Sequence, residues 1–479
     1  MFNKGKKILI LGVLFTALLY AEGEQEGIST GATPKESETT VREERRKAPA
    51  VKESNGHSEG EQTTRKSSEN GKKSKKNSKS EEKTVTVKEH ITKASKSSKS
   101  GNNKSAKPKK VVKAVEREKE GTSEYQGKVI KFIATADGKV LKDKMSRKKH
   151  PIASLTKVMN ILVTLDQVDR GNAKLDDKVC FTPDTVNMGG SWLNAKAGDC
   201  YTLKDLLRAE IIYSANNAAY MVAKHIGKGN LDNFVKLMND KAKEIGMNNT
   251  RYYTPAGLPT SMTNKGMDVS TAYDMYLLGR KAVQDERLKS WTRESELVLQ
   301  NSEGENVVYN NRNHLLDKFG IYGLKTGFHE QAGYNMIVSS KIGNLEIISV
   351  ALGNKSDEAR TKDQTEEFTQ LEKRMVPVYK AGQEISKKFK IKGVKEKEIT
   401  GVLSTNVYQI DNTNYKFEVK DLGVTAEKDG ISKGDTIGKL EVLSNDNKVI
   451  NTVDIVAQND YKKLSAFGRI LRFVTFGLA

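Results

Sequence analysis

A long low-complexity segment limits which part of this chain can fold. Residues 22–122 consist mainly of Lys, Ser, Glu, Gly and Thr, with almost no aromatic side chains and no periodic apolar face. Such a segment cannot bury enough apolar surface to offset the entropy that folding costs. The sequence therefore predicts a disordered linker over residues 22–122, and it places the folded domains after this linker. The hydrophobic content of the whole chain, 36%, is low and agrees with this division.

The first 21 residues have the pattern of an export signal. Lys4, Lys6 and Lys7 precede an apolar stretch over residues 8–19, and Ala21 offers a cleavage point. The sequence predicts a signal peptide over residues 1–21. An uncleaved anchor is the alternative, because the apolar stretch is not far short of a full membrane span. Both interpretations place the protein outside the cytoplasm, in the periplasm or at the extracytoplasmic face of the cell membrane.

The positive charge of the chain is unevenly placed. Much of the formal net charge of +20 falls between residues 71 and 113. We interpret this lysine-rich stretch as a solvated, self-repelling tether. The alternative is weak attraction to anionic wall polymers or lipid headgroups. Nucleic acid is not an expected partner, because the stretch lacks the interleaved aromatic residues that stack on bases.

Three short motifs in a fixed order carry the chemistry. They are Ser-Leu-Thr-Lys from Ser154, Ser-Ala-Asn from Ser214 and Lys-Thr-Gly from Lys325. The Ser-x-x-Lys spacing recurs by chance in a chain so rich in Ser and Lys, but only Ser154 opens an apolar run at helical spacing. A helix that begins there places Lys157 one turn later on the same face, within reach of the Ser154 hydroxyl.

These residue types are typical of acyl transfer through a serine. A serine hydroxyl is a poor nucleophile until an adjacent base accepts its proton, and lysine does so only when burial or a neighbouring cation lowers its pKa. Apolar helix neighbours would bury Lys157, and Lys325 would bring a second positive charge into the same cleft. The free N–H groups at the helix N-terminus suit the oxyanion of an acyl-transfer intermediate.

From about Lys128 to the C-terminus, the chain resembles the serine D-alanyl-D-alanine carboxypeptidases, the low-molecular-mass penicillin-binding proteins. Besides the three motifs, the matching segments are Thr-Pro-Ala-Gly-Leu-Pro at 254–259, Asn-Arg-Asn-His-Leu-Leu at 311–316 and Ala-Gly-Tyr-Asn at 332–335. The resemblance implies an α+β fold. A DD-peptidase/β-lactamase-like catalytic domain, an antiparallel sheet flanked by helices, would cover residues 123–377. A small β-rich domain for spacing or docking would follow over residues 378–461.

The local sequence pattern agrees with these two domains. It predicts a hairpin over residues 128–142, helices over 203–213 and 217–226, and successive strands over 321–326, 334–340 and 345–352. In the second domain it predicts short strands over residues 402–410, 415–419, 439–443 and 449–456. Helices around an antiparallel sheet are the expected layer arrangement of the first domain.

The resemblance assigns catalytic roles to three side chains. Ser154 would attack the carbonyl between two D-alanines, with Lys157 as its base, and Ser214 would help to carry the proton to the departing amine. The proton route is disputed among Ser-x-x-Lys enzymes. Backbone N–H groups of Ser154 and Phe328 would form the oxyanion hole.

The resemblance also assigns residues to substrate binding. Asn216 would hydrogen-bond the substrate amide, while Lys325 and Thr326, together with Arg360, would bind the terminal carboxylate. The structural alternatives are surface placement for Lys325 and Arg360, and helix capping for Asn216 and Ser214. Gly327 has no side chain to block a peptide that lies along the strand.

Two positions depart from the family pattern. Asn217 stands where the family often has Asp, and His329 stands where a Thr usually follows the third motif. These departures leave the substrate side-chain preference and the pH optimum open, since a histidine such as His329 can change charge near neutrality. No metal or other cofactor is expected, because the histidines show no zinc-binding spacing.

The expected activity is removal of the terminal D-alanine from peptidoglycan stem pentapeptides through an acyl-enzyme, with β-lactams as covalent inhibitors. A DD-endopeptidase that cleaves cross-links would use the same residues. A β-lactamase also needs a deacylating Glu between the second and third motifs, and no Glu-x-x-Leu-Asn-like segment occurs there. A non-catalytic wall-binding protein that uses the basic linker is the last alternative.

Two further features leave alternatives open. Cys180 and Cys200, the only cysteines, lie in short segments that could pair as strands, so they either form a disulfide or remain buried thiols. Residues 464–479 carry apolar side chains on one side of a helical wheel, with Arg469 and Arg472 opposite. This pattern predicts a helix that lies on the membrane surface, and packing on the second domain is the alternative.

Overall fold

The computed structural model describes residues 111–113, 126–396, 398–411, 415–426, 429–444 and 447–465. The predicted signal peptide at residues 1–21 lies outside the described residues. So do the linker at 22–122, except for residues 111–113, and the C-terminal helix at 464–479, except for its first two residues. Within the described ranges, no helix is long and apolar enough to cross a membrane.

The helices among the described residues all belong to the first folded domain. They are a 3₁₀ turn at Ala153–Leu155, α1 (Thr156–Asp169), α2 (Leu203–Ile212), α3 (Asn216–Ile226), α4 (Leu231–Glu244), α5 (Thr260–Thr263), α6 (Ala272–Ala282), α7 (Glu286–Thr292) and α8 (Asp357–Arg374). Polar side chains fix several of their starts. The Thr202 hydroxyl accepts a hydrogen bond from the Asp205 backbone N–H at the start of α2, at 3.0 Å. The helix α1 has no such cap and continues directly from the 3₁₀ turn.

The strands of the first domain are β1 (Val111–Lys113), β2 (Ile130–Thr135), β3 (Val140–Lys144), β4 (His150–Pro151), β5 (Lys178–Cys180), β6 (Cys200–Thr202), β7 (Val269–Ser270), β8 (Glu296–Gln300), β9 (Asn306–Asn310), β10 (Ile321–His329), β11 (Gly333–Ile342) and β12 (Leu345–Asn354). The central sheet has the order β10-β11-β12-β2-β3, and all its neighbours are antiparallel.

Helices cover both faces of this central sheet. Because alternate residues of a strand point to opposite faces, Ile337 of β11 packs into the main core with the helices α1 to α4, α6 and α7. Its neighbours Met336 and Val338 pack into a second core, to which α8 contributes Phe368. The sheet ends at β10 on one side, and the 3₁₀ turn packs against this edge strand. Ser154 and the Lys-Thr-Gly motif are thereby brought to the same place.

A β-rich domain follows α8. Its strands are β13 (Met375–Tyr379), β14 (Gly401–Leu403), β15 (Val407–Ile410), β16 (Lys416–Asp421), β17 (Gly430–Ile431), β18 (Thr436–Leu443), β19 (Val449–Ala457) and β20 (Tyr461–Lys462). Four of them form the sheet β14-β19-β18-β16, which has its own core around Phe389, Ile437 and Ile455. An antiparallel sheet flanked by helices and followed by a β-rich domain confirms the predicted α+β fold class.

Two sequence boundaries differ in the structure. The predicted strand over residues 402–410 is two strands, because the chain leaves β14 at Leu403 and pairs again as β15 with β13. Within the predicted linker, Val111–Lys113 form β1, which pairs in parallel with β9. β-branched residues at two of these three positions favour a strand.

The turn between β11 and β12 joins the two domains. The Asn344 side chain donates to the Tyr408 carbonyl oxygen at 3.1 Å and accepts from the Tyr408 backbone N–H at 2.6 Å. Asn451 of β19 also donates to the Asn344 carbonyl oxygen. The strand β11 therefore runs from the edge of the catalytic cleft to the second domain.

Candidate active site

Lys157 connects the first two motifs. Its side chain is fully buried, and Nζ lies 2.9 Å from Ser154 Oγ, 2.7 Å from Asn216 Oδ1 and 2.9 Å from the Ala256 carbonyl oxygen. Ser154 belongs to the 3₁₀ turn that precedes α1, so the helix places the two side chains one turn apart, as the motif spacing predicts. Ala256 belongs to the family-like loop at residues 254–259.

Only one of these three contacts can change direction. Asn216 Oδ1 and the Ala256 carbonyl oxygen can only accept hydrogen bonds, so Lys157 Nζ must donate to both. The Ser154 hydroxyl can either accept from an ammonium or donate to a neutral amine. A neutral Lys157 would therefore direct its lone pair at the Ser154 hydroxyl, which is the geometry that a general base needs.

Ser214 lies at the junction of α2 and α3. Its φ is 70°, in the left-handed region that non-glycine residues rarely adopt. This turn ends α2 at Ile212 and lets α3 begin at Asn216. Both polar residues of the second motif, Ser214 and Asn216, therefore lie between the two helices or at the start of α3. Ser214 is 7% exposed and therefore largely buried at this junction. Its role in proton transfer stays a prediction.

Asn216 and Asn217 hold the loop that forms one wall of the cleft. Asn216 Nδ2 donates to the Gly189 carbonyl oxygen at 2.7 Å. Asn217 accepts from the Leu193 N–H at 2.8 Å and donates to the Leu193 carbonyl oxygen at 2.9 Å. An ionised Asp could accept in this way but could not donate. The Asn217 amide thus satisfies both backbone groups of Leu193, and its side chain serves the wall rather than the substrate.

A disulfide closes the segment that contains this wall. Cys180 and Cys200 lie opposite each other in the antiparallel pair of β5 and β6, and their sulfur atoms are bonded. The enclosed segment also supplies the Ser191 carbonyl oxygen, which accepts from the Asn216 backbone N–H at 2.7 Å. Cross-linking the base of the segment therefore restrains the backbone to which Asn216 is bound.

The third motif lies on the edge strand β10. Lys325 is 1% exposed, and its Nζ donates to the Thr326 carbonyl oxygen at 2.8 Å. A Cβ atom at Gly327 would stand 3.0 Å from the Ser154 nitrogen and 3.0 Å from the Ile152 carbonyl oxygen. No side chain fits between the strand and the nucleophile turn, so glycine allows the closest approach of the two backbones.

Phe328 and Arg360 lie beside this strand. The Phe328 ring stacks on Tyr334, with ring centroids 4.1 Å apart. Arg360 of α8 is 5% exposed, donates to the Asn335 carbonyl oxygen at 3.2 Å and forms an ion pair with Asp357. Asn335 is the β11 partner of Gly327, so Arg360 lies just behind the third motif. Its role in carboxylate binding stays a prediction.

The pKa of His329 differs from the value expected from the sequence. Burial and the nearby His150 lower the pKa of His329 to about 4, and its Nδ1 accepts from the Ala332 backbone N–H at 3.1 Å. The expectation that His329 changes charge near neutrality is therefore wrong. Burial also lowers the pKa of His150, whose Nε2 lies 2.7 Å from the Ala332 carbonyl oxygen.

Asp268 is a site residue that sequence reasoning missed. Its buried carboxylate accepts from the Tyr253 and Thr254 backbone N–H groups at 2.6 and 3.0 Å, and from the Thr156 and Thr254 hydroxyls at 2.8 and 3.0 Å. Burial raises the pKa of Asp268 to about 6. The residue ties the 254–259 loop to the first residue of α1, and nothing in its sequence neighbourhood indicates this.

Family comparisons agree with this geometry. A family model described as D-alanyl-D-alanine carboxypeptidase matches residues 113–356, and one described as penicillin-binding protein 5, C-terminal domain, matches residues 374–463. The chain is 32% identical over 369 residues to the D-alanyl-D-alanine carboxypeptidase DacF of Bacillus subtilis, an alignment that covers 74% of this chain and 90% of that protein.

Two other relatives widen the comparison. A D-alanyl-D-alanine endopeptidase of Escherichia coli is 33% identical over 206 residues, which cover 42% of this chain and 63% of that protein. A crystal structure of a peptidoglycan synthesis regulatory factor (PBP3) from Streptococcus pneumoniae matches with a TM-score of 0.50 at 19% identity, covering 70% of this chain and 98% of that one. This last likeness concerns the fold alone. The family matches and the near full-length relative establish that this chain belongs to the D-alanyl-D-alanine carboxypeptidase family.

Proposed function

We propose that the protein is a serine-type D-Ala-D-Ala carboxypeptidase that removes the terminal D-alanine from peptidoglycan stem pentapeptides. The observation that carries this proposal is the 2.9 Å contact between Lys157 Nζ and Ser154 Oγ, made by a lysine that is fully buried. Burial favours the neutral amine, which is the form that can accept the serine proton. Family membership supports the same reaction.

The first half of the reaction forms an acyl-enzyme. Lys157 accepts the Ser154 proton as Oγ bonds to the carbonyl carbon, and the backbone N–H groups of Ser154 and Phe328 stabilise the oxyanion. The C–N bond to the terminal D-alanine then breaks, and its nitrogen receives a proton through Lys157 and Ser214. Water hydrolyses the ester in the second half and restores the Ser154 hydroxyl.

The remaining site residues bind and orient the peptide. Lys325 and Thr326 bind the terminal carboxylate, with Arg360 behind them, and Asn216 hydrogen-bonds the substrate amide. The bare edge of β10 at Gly327 accommodates the peptide as an added strand. A β-lactam enters by the same route and acylates Ser154. The ester then persists, because the sequence between the second and third motifs has no segment typical of a deacylating Glu.

Fluorescent-penicillin labelling tests this proposal. Wild-type protein should acquire a stable label that maps by peptide mass to Ser154, and Ser154→Ala should acquire none. Ser146→Ala is the matched control, because Ser146 also begins a Ser-x-x-Lys sequence but donates to Asp143 outside the site. An adduct on another serine, or no adduct at all, would rule out this nucleophile. Rapid release of hydrolysed penicillin would instead indicate a β-lactamase.

The endopeptidase relative justifies one competing assay. Incubation with equal amounts of a cross-linked muropeptide and a pentapeptide separates the two activities. Loss of the terminal D-alanine before any cross-link is cut supports the carboxypeptidase. Preferential cleavage of the cross-link would assign the endopeptidase instead. Binding to cell walls without either activity would leave the non-catalytic role, which deletion of residues 22–122 would then abolish.

We further propose that the protein works at the extracytoplasmic face of the membrane and is held there peripherally. The amphipathic pattern of residues 464–479 supports a surface helix whose arginines lie among anionic headgroups. The basic linker adds weak attraction to anionic wall polymers. If it behaves as a random coil, a segment of about 100 residues has an end-to-end distance of roughly 55 Å, which would let the folded domains search the wall around a point where the linker is held.

A further inference from the structure

Asn335 carries a buried amide side chain for which the reaction described above has no role. It is 0% exposed and lies in β11, the strand next to the edge strand β10. In the antiparallel pairing of these two strands, its partner is Gly327 of the third motif. A completely buried amide lowers stability unless its donor and its acceptor both find partners. The partners of Asn335 therefore indicate what this side chain does in the fold.

A β-bulge in the central sheet binds the oxygen of this amide. The ladder pairs of β11 with β12 leave two residues of β12, Leu352 and Gly353, opposite Asn335 alone. The Gly353 backbone N–H donates to Asn335 Oδ1 at 2.8 Å. Gly353 has a φ of 80°, a conformation that glycine adopts without strain. Bulges next to active sites often redirect a side chain, and this one fixes the orientation of the Asn335 amide.

The nitrogen of the same amide binds the segment that leads to the nucleophile. Asn335 Nδ2 donates to the Pro151 carbonyl oxygen at 3.0 Å. Because a backbone N–H can only donate, Gly353 requires Oδ1 as its acceptor and leaves Nδ2 as the donor to Pro151. Pro151 lies three residues before Ser154. One side chain thus connects strands β11 and β12 to the segment just before the nucleophile.

The nucleophile turn needs such a restraint. Ala153 has a φ of 48°, in the left-handed region that a residue with a Cβ atom rarely adopts. A residue in this conformation persists only where its surroundings hold it in place. A second bond between the same segment and the β10–β11 hairpin joins His150 Nε2 to the Ala332 carbonyl oxygen at 2.7 Å. Of the two bonds, the one made by Asn335 lies nearer to Ser154 along the chain.

The backbone of Asn335 contacts a different part of the site. Its carbonyl oxygen accepts from Arg360 Nη1 at 3.2 Å. This contact involves the main chain, so a substitution of the Asn335 side chain keeps both of its atoms. The side chain and the backbone of this residue therefore have separate roles. The side chain restrains the nucleophile turn, and the backbone supports the arginine that is proposed to bind the carboxylate.

The position of the nucleophile turn relative to β10 decides the geometry of the oxyanion site. One proposed donor, the Ser154 N–H, belongs to the turn, and the other, the Phe328 N–H, belongs to β10. β10 is the edge strand of the sheet and pairs with β11, and the peptide is expected along its other edge. The Asn335 amide acts from the β11 side, so it restrains the turn and leaves the edge for the peptide clear.

We propose that Asn335 is a positioning residue that fixes the nucleophile turn against the β10–β11 hairpin and thereby holds the two oxyanion donors at the separation that acylation requires. The proposal rests on the proposed acylation of Ser154. It assigns to the Asn335 side chain an effect on the rate of bond formation. Binding of the ligand before acylation is unaffected, because the Arg360 contact and the open edge of β10 are both kept.

Stopped-flow kinetics with a fluorescent penicillin at mildly alkaline pH separate binding from acylation. Asn335→Asp keeps an acceptor for the Gly353 N–H, but an ionised carboxylate cannot donate to Pro151. The acylation rate constant should fall by about 10²-fold, the usual effect of a displacement of about 1 Å. The dissociation constant of the initial complex should stay as in wild type. Asn335→Leu, which cannot donate in any protonation state, should give the same result.

Asn344→Asp is the matched control. Asn344 is also buried, and its amide likewise accepts from one backbone N–H and donates to one backbone carbonyl oxygen, both of Tyr408. It follows the same strand β11 but lies at the end away from the cleft. Asn344→Asp should lower the free energy of unfolding and leave the acylation rate constant unchanged. An equal loss of acylation in the Asn335 and Asn344 variants would overturn the proposal.

The infrared band of the acyl-enzyme ester gives a second measurement. Hydrogen bonds from the oxyanion donors weaken the ester C=O bond and lower its stretching frequency. The band should move to higher frequency in Asn335→Asp and stay in place in Asn344→Asp. A purely structural defect would leave the band of Asn335→Asp where it is in wild type, and that result would overturn the proposal.

Failure of this proposal can be distinguished from failure of the proposed function. If wild-type protein is never acylated, the proposed function fails. Wild-type acylation with the same rate constant and ester band in both Asn335 variants defeats only the role of Asn335. If neither variant folds, a crystal structure of the penicillin acyl-enzyme decides. Asn335 Nδ2 within hydrogen-bond distance of the Pro151 carbonyl oxygen supports the proposal, and a broken contact overturns it.

Discussion

Gly327 and Ser154 lie so close together that a methyl group at residue 327 would stand 3.0 Å from the Ser154 backbone nitrogen. That nitrogen is one of the two proposed oxyanion donors. We expect Gly327→Ala to reduce acylation by about 10²-fold, the loss that follows when a reacting group is displaced by about 1 Å. Stopped-flow kinetics with a fluorescent penicillin measure this effect.

Gly279→Ala is the control for crowding as such. Its Cβ atom would stand 2.9 Å from the Ile348 side chain and 3.2 Å from the Ile337 side chain, in the core below the sheet. Both variants should melt at lower temperature, but only Gly327→Ala should lose acylation out of proportion to its stability. Equal acylation in the two variants would contradict the proposed oxyanion site.

Lys157→Ala should lower acylation by a factor of about 10² to 10⁴, the usual effect of losing a general base. The reason is that this variant removes the amine that can accept a proton from the Ser154 hydroxyl. Added primary amines should restore part of the rate in this variant and none in Ser154→Ala. Near wild-type acylation in Lys157→Ala would show that another group accepts the proton.

His329 should make the protein less stable in acid. Its pKa is about 4 in the folded state, below the ordinary value of 6.5, so its contribution to stability is present above pH 6.5 and is lost as pH falls towards 4. The loss amounts to about 3 kcal/mol. His329→Asn, which keeps an acceptor for the Ala332 N–H, should flatten this part of the curve of unfolding free energy against pH.

Asp268 has the opposite effect on the pH dependence of stability. The unfolding free energies of His329→Asn and wild type must therefore be compared at each pH. The pKa of Asp268 is raised to about 6 from 3.8, so its contribution is present at low pH and is lost as pH rises through 6. The two effects partly cancel between pH 4 and 6 in the wild type. His314→Asn is the matched control. It also removes a histidine, but one whose pKa is raised, by a hydrogen bond with Asp357, rather than lowered. An equally steep loss in His329→Asn and wild type would refute the assignment.

The disulfide should be present in exported protein and should stabilise it. Cys180 and Cys200 are 20 residues apart, and closing a loop of this length contributes about 3 kcal/mol by the chain-entropy account. The double variant Cys180→Ser/Cys200→Ser should therefore have a lower free energy of unfolding. Mass spectrometry without reduction checks the bond directly, and two free thiols would exclude it.

Residues 464–479 should bind anionic membranes. Signal-less protein should float with anionic liposomes, and the same protein without residues 464–479 should not. Neutral liposomes are the control, since loss of the headgroup charge should weaken binding by the arginines. If both forms float equally, or neither floats on anionic vesicles, the segment does not anchor the protein and packing on the second domain becomes the better interpretation.

Some parts of this fold can be predicted from local sequence, and the reasons are physical. The Ser154 to Lys157 spacing equals one helical turn, so the 2.9 Å contact follows from helix geometry once the apolar run after Ser154 identifies a helix. Strands β10, β11 and β12 are also readable, because apolar and β-branched residues fill them and short polar turns separate them.

The parts that could not be predicted depend on contacts between distant segments. The Ala256 carbonyl oxygen reaches Lys157 only after the 254–259 loop has folded over α1, and Asp268 holds it there. The split of residues 402–410 depends on which strand each half pairs with.

Strand β11 also determines how far the catalytic cleft stands from the second domain. Its Asn335 lies opposite Gly327 at the cleft, and the turn that follows the strand places Asn344 against Tyr408. At roughly 3.3 Å per residue, the path between these asparagines is about 30 Å long. A paired strand of this kind does not stretch, so the cleft and the contact of Asn344 with Tyr408 are held at a constant separation. The second domain therefore acts as a spacer of fixed length, and only peptides that extend to the cleft would be trimmed.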